Sequence, residues 1–79
     1  MEIEVDLHGL SLNQAKKTLE RALRDAPKKT TVIRVIHGHT HGDAIKRMVQ
    51  DPNAIRSHRL MRKKYTKNLG ETLYLLHND

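Results

Sequence analysis

Apolar and polar residues alternate at the very start of the chain. Ile3, Val5 and Leu7 occupy every second position, and polar residues lie between them. A period of two is that of a strand with one buried face, so this segment predicts a β-strand whose polar face ends in Asp6 and His8.

After this strand the apolar residues recur every three or four positions, which predicts a helix. Ser11 followed by Gln14 forms a capping-box pattern, so the helix should begin at Leu12, and Pro27 should end it. The apolar positions of this helix are Leu12, Ala15, Leu19, Ala22 and Leu23.

Thr31 to Ile36 is rich in β-branched residues and almost continuously apolar, which is typical of a central strand covered on both faces. A strand, helix, strand order favours a right-handed parallel crossover, which would place Leu7 beside Ile36. The carboxyl ends of both strands would then lie at one edge of the sheet.

A second, shorter helix is predicted after Gly42, from the spacing of Ile45, Met48 and Val49, and Asp51-Pro52-Asn53 should end it. Two strands should complete the fold. We expect a third strand from Ile55 to Met61, a turn at Asn68-Leu69-Gly70, and a closing strand from Thr72 to Leu76 with Leu73 and Leu75 on one face. The predicted fold is therefore α/β: one two-layer βαβαββ domain, residues 1–79, with a mixed four-stranded sheet and two helices.

Composition narrows this expectation. The chain has 79 residues, no cysteine, and 37% hydrophobic residues with Tyr65 and Tyr74 as its aromatics, so we expect one core built from aliphatic side chains. Absence of cysteine rules out disulfides and thiolate chemistry and fits a reducing compartment. No signal-peptide pattern or long apolar run is present, so a soluble, cytoplasmic protein without a membrane partner is expected.

Two motifs carry the chemistry, and each follows a predicted strand. Asp-Leu-His-Gly occupies positions 6–9, and His-Gly-His-Thr-His-Gly occupies positions 37–42. Ligands of open α/β sheets bind beyond the carboxyl ends of the strands, so Asp6, His8 and His37 should converge there on a ligand site.

Three separated segments resemble one known family, the small MutS-related (Smr) domain. They are Val5-Asp6-Leu7-His8-Gly9, Val35-Ile36-His37-Gly38 and Asn68 to Leu75, so the resemblance runs nearly end to end. It implies a compact α/β domain that binds nucleic acid and that, in many members, nicks DNA or cleaves RNA.

By the same resemblance, Asp6, His8 and His37 are the residues associated with function. Relatives commonly read His-Gly-x-Gly in the second motif, whereas Thr40 stands here at the second glycine position. A Cβ at that position restricts positive φ, which bears on phosphate geometry and on catalysis.

The physical chemistry of the motifs agrees with phosphodiester cleavage. A phosphate over the Gly38 to Gly42 loop would meet backbone N–H groups and the positive end of the second helix. We hypothesise that His8 and His37 are an acid–base pair, in which one accepts a proton from the attacking hydroxyl and the other donates to the leaving oxygen, with Asp6 fixing a tautomer or raising a pKa. On RNA the 2′-hydroxyl could attack without a metal, whereas on DNA water would attack and Mg²⁺ or Mn²⁺ could be required. A structural alternative is that Asp6 ties down Gly9 and the start of the helix, and that the histidines are structural too.

The second motif admits two interpretations, a metal site or exposed loop histidines near a phosphate. His37, His39, His41 and Asp43 could present several ligands from an extended loop, but this spacing is not that of a known zinc site. We therefore expect no metal site there, and exposed loop histidines near phosphate instead.

Charge indicates an anionic partner. Fifteen Lys and Arg against nine Asp and Glu give a net charge of +6. The densest basic segment, with Tyr65 embedded as a possible base-stacking surface, comprises Arg56, Arg59, Arg62, Lys63, Lys64 and Lys67. Lys46 and Arg47 could extend this phosphate-binding surface, and the alternative is a merely solvated face.

The predicted function is nucleic-acid binding with endonuclease activity, and the alternatives are a non-catalytic nucleic-acid-binding module or a protein-interaction domain using the same basic face. No obligate protein partner is inferred. The predicted catalytic residues are Asp6, His8 and His37. The predicted nucleic-acid contacts are Gly9, Gly38, His39, Thr40, His41, Gly42, Lys46, Arg47, Arg59, Arg62, Lys63 and Lys64.

Overall fold

Two helices pack against one face of a four-stranded sheet. The structure is a computed structural model and describes residues 1–38 and 43–77. Its elements are, in chain order, β1 (Glu2–Asp6), α1 (Leu12–Asp25), β2 (Val32–Ile36), α2 (Ala44–Gln50), β3 (Leu60–Tyr65) and β4 (Glu71–Leu76). The predicted α/β class and βαβαββ order are confirmed.

The sheet is mixed, with the strand order β1-β2-β4-β3. β1 and β2 are parallel, and β4 runs antiparallel to both of its neighbours. Asp6 pairs with Ile36, and the backbone N–H of Leu7 donates to the Ile36 carbonyl at 2.7 Å. The predicted crossover thus brings the carboxyl ends of β1 and β2 to one edge, which we call the site edge.

α1 begins where the capping-box pattern places it. The Ser11 hydroxyl accepts from the Gln14 backbone N–H at 3.2 Å, and the Gln14 side-chain carbonyl accepts from the Ser11 N–H at 3.1 Å. Two backbone donors that no helical carbonyl can reach are satisfied in this way. Ala15, Leu19 and Leu23 are the buried residues of this helix, whereas Leu12 is 48% exposed.

The hydrophobic core lies on a single face of the sheet. Along β2, Ile33 and Val35 are fully buried, whereas Val32, Arg34 and Ile36 are only half-buried on the other face. The prediction that this strand is covered on both faces is therefore wrong, because both helices pack on the Ile33 and Val35 side. We call the uncovered side the open face.

The core also departs from the aliphatic composition expected of it. Tyr74 of β4 is fully buried, its hydroxyl donates to the Val49 carbonyl, and Lys63 Nζ lies 5.2 Å from its ring centroid. Burial raises the pKa of the Tyr74 hydroxyl, which stays protonated and serves as a donor. A backbone acceptor within reach is what allows a tyrosine to replace an aliphatic residue here.

β3 starts later than predicted. The pattern indicated a strand from Ile55 to Met61, but the strand is Leu60–Tyr65, and Ile55 lies in the connection after α2 with 1% of its surface exposed. Ile55 is apolar because it packs into the core from this connection rather than from a strand. The basic residues that follow it consequently belong to β3.

Among the residues that the structure describes, no helix has the length and apolar character needed to cross a membrane.

Candidate active site and nucleic-acid interface

Asp6 and His8 form a contact pair at the end of β1. His8 Nδ1 lies 2.5 Å from Asp6 Oδ1, and the His8 backbone N–H donates to the same oxygen at 3.1 Å. The imidazole hydrogen bond lowers the pKa of the Asp6 carboxyl, which is therefore ionised near neutral pH. A carboxylate can only accept, so Nδ1 carries the proton and Nε2 is left with a lone pair. The two side chains are 49% and 69% exposed, so the pair is accessible.

The same carboxylate holds the turn that joins β1 to α1. Asp6 accepts the backbone N–H of His8, rather than that of Gly9 as the structural alternative suggested. Gly9 adopts φ +80°, and the Leu10 N–H donates to the Leu7 carbonyl at 3.2 Å. Positive φ favours glycine at this position. Asp6 thus has a structural role in this turn. Both of its hydrogen bonds with His8 use Oδ1, so they leave the second carboxylate oxygen, Oδ2, available for a second role.

Gly38 brings the second motif against the first. It adopts φ +74°, and a Cβ built on it would lie 3.7 Å from His8 Cβ. The backbone N–H groups of His37 and Gly38 both donate to the Gly70 carbonyl, at 2.9 and 3.0 Å. The Gly38 N–H was predicted to meet a phosphate, but it is already used within the domain.

The rest of the predicted phosphate loop lies outside the described residues. These positions are His39, Thr40, His41 and Gly42.

His37 points into the domain and is only 6% exposed. Nδ1 lies 2.8 Å from the Gly38 carbonyl, and Nε2 lies 3.0 Å from the Thr72 hydroxyl, which also accepts from Gln50 Nε2 at 3.1 Å. These contacts are consistent when Nδ1–H donates to Gly38 and the Thr72 hydroxyl donates to Nε2. Both ring nitrogens of His37 are therefore engaged within the domain, whereas the hypothesis has His37 as one member of the acid–base pair.

Gln50 and Thr72 were not singled out from the sequence. Thr72 lies on the buried face of β4, the same face as Tyr74 two residues later. A polar side chain on the buried face of a strand needs a hydrogen-bond partner, and this need is the signal that could have identified Thr72.

The predicted basic segment is divided between the two faces of β3. Arg62 pairs with Leu75 and Lys64 with Leu73, so both are exposed on the open face. Lys63 lies on the helical face, where its Nζ donates to the Asp51 carbonyl at 2.8 Å. Burial lowers the pKa of the Lys63 ammonium.

Arg59 has a different position from the rest of that segment. Its guanidinium donates to the carbonyls of Leu23, Ala26 and Pro27 at 3.0, 2.5 and 2.8 Å. These carbonyls lie at the C-terminal end of α1, where helical partners are missing and a cation is favourable. Arg59 therefore closes this helix, at the edge of the sheet opposite the site edge.

The predicted basic extension on α2 is partly paired. Arg47 Nε lies 3.0 Å from an oxygen of Asp43, the N-cap residue of α2, although 79% of the Arg47 side chain is exposed. Lys46 is half-buried on the same helix.

A charge cluster on the open face was not foreseen from the sequence. Arg34 of β2 contacts Glu2 of β1 at 2.9 Å and Glu71 of β4, and Asn68 donates to Glu71 at 3.0 Å. Together with Glu4 and Asp6, these carboxylates make the β1 side of the open face acidic, whereas Arg62 and Lys64 make the β3 side basic. An anion that approaches the open face is attracted to the β3 side.

No group of three or more His, Asp or Glu side chains capable of holding a metal ion occurs within residues 1–38 and 43–77. Of the ligands considered for a metal, His37 has both ring nitrogens engaged, and Asp43 pairs with Arg47. The other two ligands considered, His39 and His41, lie outside the described residues.

Comparison with known proteins identifies a family and a similar solved structure. The family model described as the Smr domain matches residues 5–71. The crystal structure of the Smr domain of Thermus thermophilus MutS2 superposes with a TM-score of 0.70 and 26% identity, covering 94% of this chain and 96% of that one. A comparison with curated protein sequences found no match. Because the family model spans both motifs and most of the chain, this protein belongs to the Smr domain family.

Proposed function

We propose that this protein is a nucleic-acid-binding endonuclease in which the Asp6–His8 pair activates the attacking oxygen. The family is associated with nucleic-acid binding and nicking endonuclease activity, which supports nucleic acid as the class of ligand. The observation that carries the proposal is the 2.5 Å contact between Asp6 and an exposed imidazole at the end of a parallel strand.

The pair has the arrangement of a general base with its orienting carboxylate. Asp6 accepts the Nδ1 proton, which fixes the tautomer and stabilises the imidazolium that forms when Nε2 takes a proton. On RNA, Nε2 of His8 removes the proton of the 2′-hydroxyl, whose oxygen then attacks the adjacent phosphorus. The bond to the 5′-oxygen breaks, and that oxygen takes a proton from water. The products are a cyclic phosphate and a 5′-hydroxyl end.

His37 is proposed as a positioning residue for this reaction. Its ring contacts the Gly38 carbonyl on one side and Thr72 on the other, so it fixes the glycine that adjoins His8. Displacement of Gly38 would move the surface against which the substrate is held, and misplacement by about 1 Å can reduce a rate by about 10²-fold.

Binding is proposed to use the basic side of the open face and the exposed side chains near the site edge. Arg62 and Lys64 are exposed on β3, and Tyr65 is 59% exposed at the end of that strand. Three interstrand spacings of about 4.8 Å separate β3 from β1, so these residues lie roughly 14 Å across the sheet from the pair. A bound strand crossing from β3 toward β1 reaches both.

The alternative is a nucleic-acid-binding module without catalysis. It is favoured by the burial of His37, which leaves His8 as the exposed histidine at the site edge among the described residues. Binding through Arg62 and Lys64 needs no base, so this function would survive the loss of His8.

The test compares cleavage with binding in matched variants. Wild-type protein, Asp6→Asn, His8→Ala and the control Glu4→Gln are incubated with structured RNA, the same RNA with deoxyribose at the cleaved position, and supercoiled DNA. Glu4 is an exposed carboxylate on the same face of β1, two residues from Asp6, so its loss changes charge but not the pair.

We expect Asp6→Asn and His8→Ala to lose cleavage while binding persists, and Glu4→Gln to retain both. Reactions with Mg²⁺, Mn²⁺ or a chelator decide whether DNA cleavage needs a divalent cation. Equal cleavage by wild-type protein and His8→Ala would refute the proposed base. Salt-dependent binding without cleavage by any of the proteins would establish the alternative.

A further inference from the structure

A recess lined by basic residues lies at the edge of the sheet opposite the site edge. Its volume is about 670 Å³, within the range of roughly 300 to 1,000 Å³ that is usual for ligand sites. We call it the far recess, and its lining residues are Arg24, Ala26, Pro27, Lys28, His58, Arg59 and His77.

Three elements meet at this recess because of the strand directions. α1 runs back from the site edge and ends at Asp25, whereas β3 begins and β4 ends at the far edge, where Leu60 pairs with Leu76. The backbone N–H of His77 donates to the Arg59 carbonyl at 2.8 Å, which joins the last part of β4 to the start of β3.

The lining of the recess suits an anion. Three of its side chains are Lys or Arg, two are His, and none of the lining residues among 1–38 and 43–77 is acidic. Arg24 is paired with Asp25 at 3.0 Å, whereas Lys28 and His58 are exposed and form no side-chain hydrogen bond or ion pair with the rest of residues 1–38 and 43–77.

Arg59 supplies a fixed donor to this recess. Three of its N–H groups are held by the carbonyls at the end of α1, two from Nη1 and one from Nη2. A guanidinium has five N–H donors, so Nε–H and one Nη2–H are unused within the described residues. A guanidinium already held in place loses little side-chain entropy when it binds an oxyanion.

We propose that the far recess binds a phosphate group of the nucleic acid, so that one strand contacts the domain at both edges of the sheet. This inference rests on the proposed function, because it assigns a second contact to the same ligand. Arg62 and Lys64 are exposed on the open face of β3, which runs from the far edge to the site edge.

The geometry sets a minimum ligand length. Five strand residues at about 3.3 Å each separate the two edges by roughly 17 Å along the strands, and the pair on β1 lies roughly 14 Å across the sheet from β3, so the diagonal is about 22 Å. Stacked nucleotides rise about 3.4 Å each, so an oligonucleotide of about seven stacked nucleotides is needed to reach from the recess to the pair, and a trinucleotide reaches only one of them.

The test uses the full chain and two lengths of single-stranded oligonucleotide, three and twelve nucleotides. Backbone amide signals of Gly9 and Gly38 report the site edge in nuclear magnetic resonance titrations, and those of Lys28 and His58 report the far recess. We expect the longer oligonucleotide to shift both sets of signals at one stoichiometry.

Variants then connect the recess with affinity. Lys28→Glu is compared with Lys17→Glu, which makes the same charge change at an exposed position of α1 that does not line the recess. For the longer oligonucleotide we expect Lys28→Glu to weaken binding more than Lys17→Glu and to reduce the salt slope by about one. A salt slope and affinity that are the same in the two variants would overturn the inference.

The remaining outcomes separate this inference from the proposed function. Signals that shift only at the site edge overturn the inference and leave the proposed function standing. Shifts confined to the far recess overturn the two-edge contact and contradict binding at the Asp6–His8 pair, and no shifts at all overturn both the inference and the proposed function. Inorganic phosphate is titrated separately, and saturation of the recess by phosphate as readily as by the long oligonucleotide would identify free phosphate as the ligand and overturn the two-edge contact.

Discussion

Two buried threonines offer a controlled measurement of what the hydrogen bonds behind the site contribute to stability. Thr72 and Thr30 are both fully buried. The Thr72 hydroxyl contacts His37 at 3.0 Å and Gln50 at 3.1 Å, whereas the Thr30 hydroxyl has no hydrogen-bond partner among residues 1–38 and 43–77. Replacement by valine keeps the shape of the side chain and removes only the hydroxyl.

The two substitutions should have opposite effects. In Thr72→Val the His37 Nε2 atom loses its partner while it stays buried, and a buried group left unsatisfied costs about 1 to 3 kcal/mol. Gln50 is half-buried and can turn toward water, so its lost bond adds little. We expect the free energy of unfolding to fall by about 2 kcal/mol, a large part of the roughly 5 to 15 kcal/mol of a typical domain. In Thr30→Val an unpartnered hydroxyl is replaced by a methyl group, so the free energy of unfolding should stay unchanged or rise by up to about 1 kcal/mol.

Urea unfolding followed by circular dichroism measures both changes, and a common dependence on denaturant concentration shows that they concern stability. For a domain of this size, about 2 kcal/mol corresponds to a melting temperature lowered by roughly 8 to 16 °C. Thr72→Ser, which retains the hydroxyl, should be less destabilised than Thr72→Val. If both valine variants changed stability equally, the assignment of the hydrogen bonds to Thr72 would be refuted.

Three further predictions concern the pair, the far edge and the second motif. The pKa of the Asp6 carboxyl, measured from carbon chemical shifts, should lie below its ordinary value and should return toward that value in His8→Ala. Because the folded pKa is lowered, the stability that this pair contributes is present above about pH 4 and is lost as the pH falls through the folded pKa. Arg59→Met should lower the free energy of unfolding by about 2 to 3 kcal/mol through loss of three bonds at the end of α1, with Arg59→Lys in between, and an unchanged urea midpoint would contradict the closing role. Gly38→Ala and Gly9→Ala should each lower the free energy of unfolding by about 1 to 2 kcal/mol, because both residues have positive φ. The methyl of Gly38→Ala would lie 3.7 Å from His8 Cβ, so the His8 ring signal should move in this variant, and an unmoved signal would contradict the contact between the two motifs.

The fold was largely predictable because its signals are local. The alternation of Ile3, Val5 and Leu7 and the capping box at Ser11 each act over a few residues, so a single sequence is enough to read them. The start of β3 was predicted too early because Ile55 is as apolar as a strand residue but packs into the core from the connection after α2. Burial alone does not distinguish a strand residue from a buried loop residue.

The site was predictable at β1 and less so at β2. Asp6 and His8 are two residues apart, so their contact follows from neighbouring positions. The environment of His37 depends on Thr72, thirty-five residues later, and on Gln50 of α2. Such a partnership is set by the pairing of β2 with β4, which the local pattern does not specify.

The basic segment shows the same limit. It is continuous in the sequence, but in a strand successive side chains alternate between faces, so Lys63 lies on the opposite side from Arg62 and Lys64. The predicted strand ended at Met61, so the prediction placed these side chains on one surface, whereas β3 divides them between its two faces.

The Gly70 carbonyl, which accepts the N–H groups of both His37 and Gly38, couples the order of folding to the appearance of function. β1, α1 and β2 are consecutive, so they can associate with short loop closures, whereas Gly70 lies over thirty residues beyond Gly38. During synthesis the Asp6–His8 pair can therefore form early, but the second motif is held against it only after the β3–β4 hairpin has closed. A nascent chain that stops before this hairpin would have the Asp6–His8 pair without Gly38 held beside it, so the proposed cleavage would begin only once the whole sheet is assembled.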